Sequence, residues 1–204
     1  VWQIILSHVG GLAQGDWSTG QDNIVWLIRL PRVLLAGIVG AGLAVVGATM
    51  QAAVRNPLAD PYLLGTSSGA SVGVVVVIIL GVNFFEPYSL SILAFFGAVG
   101  SFVIVFTMAQ TGGHISPTRL ILAGVATAYI LSAVTSFLLF VGDDRAIRVV
   151  LYWLLGTLSG AEWDYLWLPA AALFFGITIL VLKYRQLNAL LAGEETATAL
   201  GVDT

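Results

Sequence analysis

Arg29 and Arg32 are the side chains best suited to chemistry in this sequence. They flank Leu30-Pro31 and stand immediately before Val33–Val54, 22 residues without a charge. Two guanidinium forks at a short fixed spacing suit carboxylates offered by a partner, since each fork can donate two parallel hydrogen bonds to one carboxylate. The same pair also suits snorkelling anchors, with alkyl stems lying along a membrane span and charges in the headgroups. Residue types alone leave both roles open. Pro31 is expected to stiffen the turn that presents the two arginines.

Hydroxyls form the second group. Thr66, Ser67, Ser68 and Ser71 open another uncharged run. Such a cluster can line a polar path, or its members can bond back to their own helix carbonyls. The third group is acidic. Glu194 and Glu195 follow Gly193 and begin a short helical stretch that Gly201 ends, an arrangement the helix dipole favours. That segment fits a solvated tail or a docking element.

No constellation in the sequence fits catalysis. Cysteine is absent, and His8 and His114 lie far apart. Two separated histidines without a thiolate do not suggest a metal site. No nucleophile stands with a base. The expectation is no catalytic residue, no metal and no cofactor.

The elements that position these groups follow from composition. The 204 residues are 58% hydrophobic and 9% charged, with mean hydropathy +0.97. A soluble domain carries about 25% charged residues, so the bilayer is the expected solvent. The net charge of −3 argues against a nucleic-acid partner. Five uncharged stretches, 33–54, 62–85, 88–110, 120–141 and 165–182, are read as transmembrane spans, each needing about 20 apolar residues. None carries an ionisable group in its interior, which weighs against ion-coupled transport.

Small residues recur at every fourth position: Gly40, Ala44, Ala48 and Ala52; Gly65, Gly69 and Gly73; Gly124, Ala128, Ser132 and Ser136. Such stripes let helix backbones approach closely within lipid. The sequence predicts an amphipathic interfacial helix within 1–13, with Trp2, Ile5, Leu6 and Val9 on one face. Trp17 and Trp26 are expected at headgroup depth. Asn56-Pro57 and Asp60-Pro61 should break the helix and turn the chain, with Asp60 capping the next helix. Within 142–164, residues 146–155 read as an apolar helical turn or two.

The positive-inside rule does not set orientation. Arg29, Arg32, Arg145 and Arg148 on one side balance Arg55, Arg119, Lys183 and Arg185 on the other, and the rule needs an excess. Because the chain begins with Val1 and ends at Thr204, it is expected to be an excerpt of a larger protein.

Four ordered blocks carry a resemblance: residues 29–73 (RLPRVLLAGIVGAGLAVVGATMQAAVRNPLADPYLLGTSSGASVG), 118–140 (TRLILAGVATAYILSAVTSFLLF), 152–167 (YWLLGTLSGAEWDYLW) and 187–202 (LNALLAGEETATALGV). The sequence resembles the FecCD-type permeases, membrane subunits of ATP-binding cassette importers for iron-siderophores, haem and cobalamin. The resemblance implies an all-α integral membrane protein, a polytopic helical bundle of about five transmembrane helices within a ten-span type II permease fold. It implies an extracytoplasmic interfacial segment 1–30, a transmembrane domain 31–185 and a cytoplasmic coupling segment 186–204.

It further implies that Arg29 and Arg32 dock a periplasmic or lipid-anchored substrate-binding protein. Thr66, Ser67, Ser68, Gly69, Ser71, Ser132 and Ser136 would line the translocation path. Ser116, Pro117 and Thr118 would match the cytoplasmic gate. Gly193, Glu194, Glu195, Ala199 and Gly201 would match the helix that couples to cytoplasmic ATPase subunits. A second permease subunit in a homodimer, surrounding membrane lipid and a multi-pass location in the bacterial cytoplasmic (inner) membrane complete the expectation. ATP hydrolysis would reside on the partner, so the permease itself would not be an enzyme. A secondary transporter and a non-transporting structural membrane subunit are the alternatives.

Overall fold

The computed structural model describes residues 1–11, 15–54, 56–82, 88–111 and 114–191. The chain divides into two compact units, Val1–Arg55 with Thr157–Thr204, and Asn56–Gly156.

The first unit opens with α1 (Trp2–Gly10), which Gly11 ends in the left-handed conformation at φ 62°. A backbone N–H at that cap returns to the last-turn carbonyls of Leu6 and Ser7, a glycine-dependent stop. Ile4 is the buried residue of α1, whereas Trp2, Leu6 and Val9 are exposed. The apolar face expected of an interfacial helix is thus open to a lipid surface.

Ser18 begins α2 (Thr19–Asn23) with a capping box. Its Oγ accepts from Gln21 N at 3.3 Å, and Gln21 Oε1 accepts from Ser18 N at 3.1 Å. The helix continues without a break through a π turn (Ile24–Arg29) into α3 (Leu30–Val54). This corrects the expectation of a turn at the arginines. Both lie in one helical rod, Thr19–Val54, of 36 residues, and Pro31 sits just past the π turn, a position a helix tolerates more readily than its regular interior. The same unit contains α8 (Trp163–Leu182) and α9 (Tyr184–Leu191). A Cβ at Gly42 of α3 would meet Leu173 of α8 at 3.9 Å, ordinary van der Waals contact, while Gly37, Gly40 and Gly47 have nothing within 4 Å. The small-residue stripe on this span is exposed at Gly40, Ala44 and Ala48 and buried at Ala52, whereas Gly65, Gly69 and Gly73 are all buried.

The second unit starts with two side-chain-capped turns. Asn56 Oδ1 accepts from Leu58 N at 2.9 Å, and Asp60 Oδ1 accepts from Tyr62 N at 2.7 Å. Asp60 thereby starts a 3₁₀ turn (Pro61–Leu64), and Gly65, at φ 66°, turns the chain into α4 (Thr66–Leu80). That helix has 15 residues, about 22 Å, against a hydrocarbon core of about 30 Å. The 3₁₀ turn lengthens the apolar segment at its start. Among the described residues, four longer helical stretches have the length and composition to cross a membrane: Thr19–Val54, Ser89–Ala109, Pro117–Val141 and Trp163–Leu182.

Glycines set how closely α4 packs. A Cβ at Gly69 would collide with the Gly97 carbonyl oxygen of α5 (Ser89–Ala109) and lie 2.6 Å from Ser101 Cβ. One at Gly73 would collide with the Leu93 carbonyl oxygen. On α6 (Pro117–Val141), a Cβ at Gly124 would collide with the Leu63 carbonyl oxygen. Here the small-residue stripes do bring backbones together, since packing replaces the hydrophobic effect between helices in lipid. Ser101 Oγ then donates to the Gly65 carbonyl at 2.8 Å. Val74, Val75 and Val105 fill the fully buried space around these crossings.

A minimal antiparallel ladder, β1 (Gln110–Thr111) with β2 (His114–Ile115), precedes α6. The segment read as an apolar turn or two is instead α7 (Asp144–Leu154), an 11-residue helix capped by Asp143, whose side chain accepts from Ala146 N at 2.6 Å. It is strongly two-faced: Val150 is fully buried, whereas Val149, Leu151 and Leu155 are exposed.

Candidate functional site

The arginine pair sits on an irregular piece of helix with a local cause. Leu30 N–H bonds to the Val25 carbonyl, five residues back, the π pattern. The next carbonyl, that of Trp26, would take the N–H of residue 31 in the same register. Residue 31 is proline and has none. The Trp26 carbonyl is instead taken by the indole Nε1–H of Trp163 at 2.9 Å. A residue 137 positions away thus supplies the donor that the local chain lacks.

Aromatic packing closes around the same point. The Trp26 ring stacks on His8 with centroids 4.2 Å apart and planes 16° from parallel, and lies 4.9 Å from the Trp163 ring. His8 Nε2 is 3.3 Å from Asp22 Oδ2. The other oxygen, Asp22 Oδ1, accepts from Trp17 Nε1 at 3.1 Å. A cavity of about 360 Å³ opens alongside, with Asp16, Gln3 and Gln21 in its wall together with Arg29. Arg29 and Arg32 are both exposed, and neither forms a salt bridge among the described residues. Two exposed guanidinium groups without a salt bridge among the described residues can donate to carboxylates.

The hydroxyls of α4 and α6 belong to the other unit. Ser67, Ser132 and Ser136 are exposed, and Thr66, Ser68 and Ser71 are half-buried. Ser71 Oγ donates to the Ser67 carbonyl at 2.9 Å, and Ser136 Oγ donates to the Ser132 carbonyl at 3.0 Å. Their protons are thus engaged with their own helices, as back-bonding predicts. Gly69 differs from its neighbours, because it is buried against the α5 backbone. It stands at the helix crossing.

Ser116 is the N-cap residue of α6, Pro117 its first residue, and Thr118 is exposed in the first turn. The expected coupling residues Gly193, Glu194, Glu195, Ala199 and Gly201 lie outside the described residues. No group of three or more metal-ligating side chains occurs among the described residues.

Reading by residue type missed His8, Asp22 and Trp163 as the cluster built around Trp26. One signal was present: Pro31 stands five residues after Trp26, so any π register there leaves a carbonyl in need of a donor.

The family model of the FecCD transport family matches residues 1–204. The cobalamin import system permease protein BtuC of Halobacterium salinarum is 44% identical over 98% of this chain and 53% of its own length. The vitamin B12 import system permease protein BtuC of Escherichia coli O17:K52:H18 is 38% identical over 98% of this chain and 61% of its own length. Among solved structures, an inward-facing metal-chelate type ABC transporter superposes with a TM-score of 0.82 at 29% identity, covering 98% of this chain and 64% of that one. The chain therefore spans just over half to about three fifths of the length of the curated relatives it matches.

Proposed function

The chain belongs to the FecCD transport family, and from that premise we propose that it forms part of the membrane path of an ATP-binding cassette importer for iron-siderophore, haem or cobalamin-type chelates. The observation that carries this reading is a family match along the whole chain, shared with relatives whose names are those of cobalamin and vitamin B12 import permeases. The helical membrane fold suits it. The uncharged stretches 33–54, 62–85, 88–110, 120–141 and 165–182 carry no Asp, Glu, Lys, Arg or His for a coupling proton or ion, which supports a driving force supplied by a partner.

In this reading ATP is hydrolysed by partner ATPase subunits in the cytoplasm, and the permease contributes no catalytic group. Arg29 and Arg32 receive carboxylates of a periplasmic or lipid-anchored substrate-binding protein, a role supported by their exposure and lack of ion pairs among the described residues. Thr66, Ser67, Ser68, Ser71, Ser132 and Ser136 line the path. With hydroxyl protons held by helix carbonyls at Ser71 and Ser136, such a wall offers few strong donors and holds a bulky chelate weakly. Selectivity then rests with the binding protein. Ser116, Pro117 and Thr118 form the cytoplasmic gate, and the 193–201 segment couples to the ATPase. Two permease subunits pair as a homodimer in the cytoplasmic (inner) membrane.

Deleting the gene for the full-length protein tests the assignment. Loss of uptake of a labelled cobalamin, haem or ferric siderophore, restored by the gene in trans, is the expected result. Undiminished uptake of all three overturns it.

A further inference from the structure

His8 occupies a site with acceptors on both sides of its ring. Its Nδ1 is 3.1 Å from the Ile4 carbonyl oxygen and 3.4 Å from Ser7 Oγ, and Ser7 Oγ itself donates to the Ile4 carbonyl at 2.7 Å. With the Ser7 proton on that carbonyl, Nδ1 faces two oxygens able to accept from it. On the opposite side Nε2 faces Asp22 Oδ2 at 3.3 Å. Asp22 is held in that pose by Trp17, which donates to its other oxygen. A neutral imidazole carries one N–H and would turn a lone pair toward one of these acceptors. The imidazolium carries two and satisfies both. Its face lies on the Trp26 indole at 4.2 Å, where a cation is favoured by the ring quadrupole.

We propose that His8, as an imidazolium clamped by Asp22, the Ile4 carbonyl and the Trp26 ring, is a proton-operated positioning residue for the π turn that carries Arg29. This rests on the reading of Arg29 and Arg32 as a docking pair, and adds its regulation. Trp26 is gripped from one side by His8 and from the other by Trp163. Arg29 lies three residues further along the same π turn. When the proton leaves, Nε2 or Nδ1 loses its donor, the stack loses its charge, and α1 loosens from the π turn. The remaining charged groups nearby are few. Helix α1 has no charged side chain besides His8. Asp16 and Arg29 line the adjoining cavity, and α8 contributes Asp164 next to Trp163. Asp22 is the one carboxylate in ion-pair contact with the ring among the described residues. The latch therefore closes as pH falls and opens as it rises.

The test uses the full-length permease in lipid nanodiscs. Amide hydrogen exchange in residues 2–10 and 24–29 is measured at about pH 6 and about pH 8.5, corrected for intrinsic rates, together with the affinity of the cognate binding protein at each pH. The His8 and Asp22 side chains are 31% and 23% exposed, so we expect protection and affinity to rise about three- to fivefold at the lower pH. In His8→Gln and Asp22→Asn the ratios should fall to about one, after any pH dependence of the binding protein itself has cancelled in the comparison. Protection that is independent of pH in wild type, or a pH response retained by His8→Gln, overturns the proposal. So does a latch that titrates while affinity stays flat. Failure of the underlying docking reading looks different: Arg29→Glu with Arg32→Glu would then bind as wild type does at both pH values.

Discussion

Trp163 donates its indole N–H to the backbone carbonyl of Trp26 across 137 residues of sequence, at 2.9 Å. The bond exists because the π turn sends the Leu30 N–H to Val25 and because Pro31 has no N–H to offer. It ties the start of α8 to the segment bearing Arg29.

Replacing Trp163 with Phe keeps most of the aromatic packing and removes the donor. The Trp26 carbonyl is only partly buried, so the cost falls at the low end for a lost partner, about 1 kcal/mol. Thermal unfolding of the purified protein should show a small drop, and hydrogen exchange should rise within Ile24–Arg29 and not in Ser89–Ala109. Equal protection in both proteins would count against the bond as the brace of the π turn.

Gly97 and Gly100 lie one turn apart on α5 and should respond oppositely to alanine. A Cβ at Gly97 meets the Gly69 carbonyl, with Gly69 C at 2.9 Å, whereas one at Gly100 has nothing within 4 Å. Gly97→Ala must push two backbones apart and should lower the yield of folded protein. Gly100→Ala gains up to about 1 kcal/mol of helix propensity. Size-exclusion profiles and melting temperatures of the two variants measure the difference, and identical behaviour would refute the close α4–α5 crossing.

Ser101→Ala leaves the Gly65 carbonyl without its side-chain donor at a buried position. The carbonyl keeps the Gly69 N–H at 3.0 Å, so the expected loss is about 1 kcal/mol, seen as a lower melting temperature together with faster exchange at the start of α4. A variant as stable as wild type would mean that the hydroxyl contributes nothing to holding the left-handed turn at Gly65.

Asp143 caps α7 through Ala146 N. Asp143→Ala should cost about 1 kcal/mol of helix stability, and Asp143→Ser should recover most of it, because a serine oxygen can accept the same N–H. Proteolytic nicking within 143–156 offers a direct comparison of the three proteins. No increase in cutting for the alanine variant would contradict the cap.

Much of the fold was legible in the sequence where the signal is local. Asp60 before Pro61 announced a capped turn, and the Gly69–Gly73 and Gly124 spacings announced smooth helix faces, because both depend on residues a few positions apart. The π turn was not legible. A one-residue change of register alters no composition, and the arginines on either side of Leu30-Pro31 look like a polar turn. Helix α7 was underestimated because the apolar residues from Ala146 onward were read without Asp143, Asp144 and Arg145, which supply the cap and first turn. The His8–Asp22–Trp26–Trp163 cluster draws on three separate stretches of chain, and no pattern within any one of them specifies the others.

We propose that this chain forms part of a path through which a partner ATPase drives chelates inward. Its most direct test reconstitutes the full-length protein with its ATPase and binding protein in proteoliposomes and follows labelled cobalamin, haem and ferric siderophore. Uptake of one of these that requires both hydrolysable ATP and the binding protein, and that persists when a protonophore collapses the ion gradients, is the predicted result. Uptake driven by an ion gradient without ATP, or none of any of the three in an assembled complex with active ATPase, would contradict it.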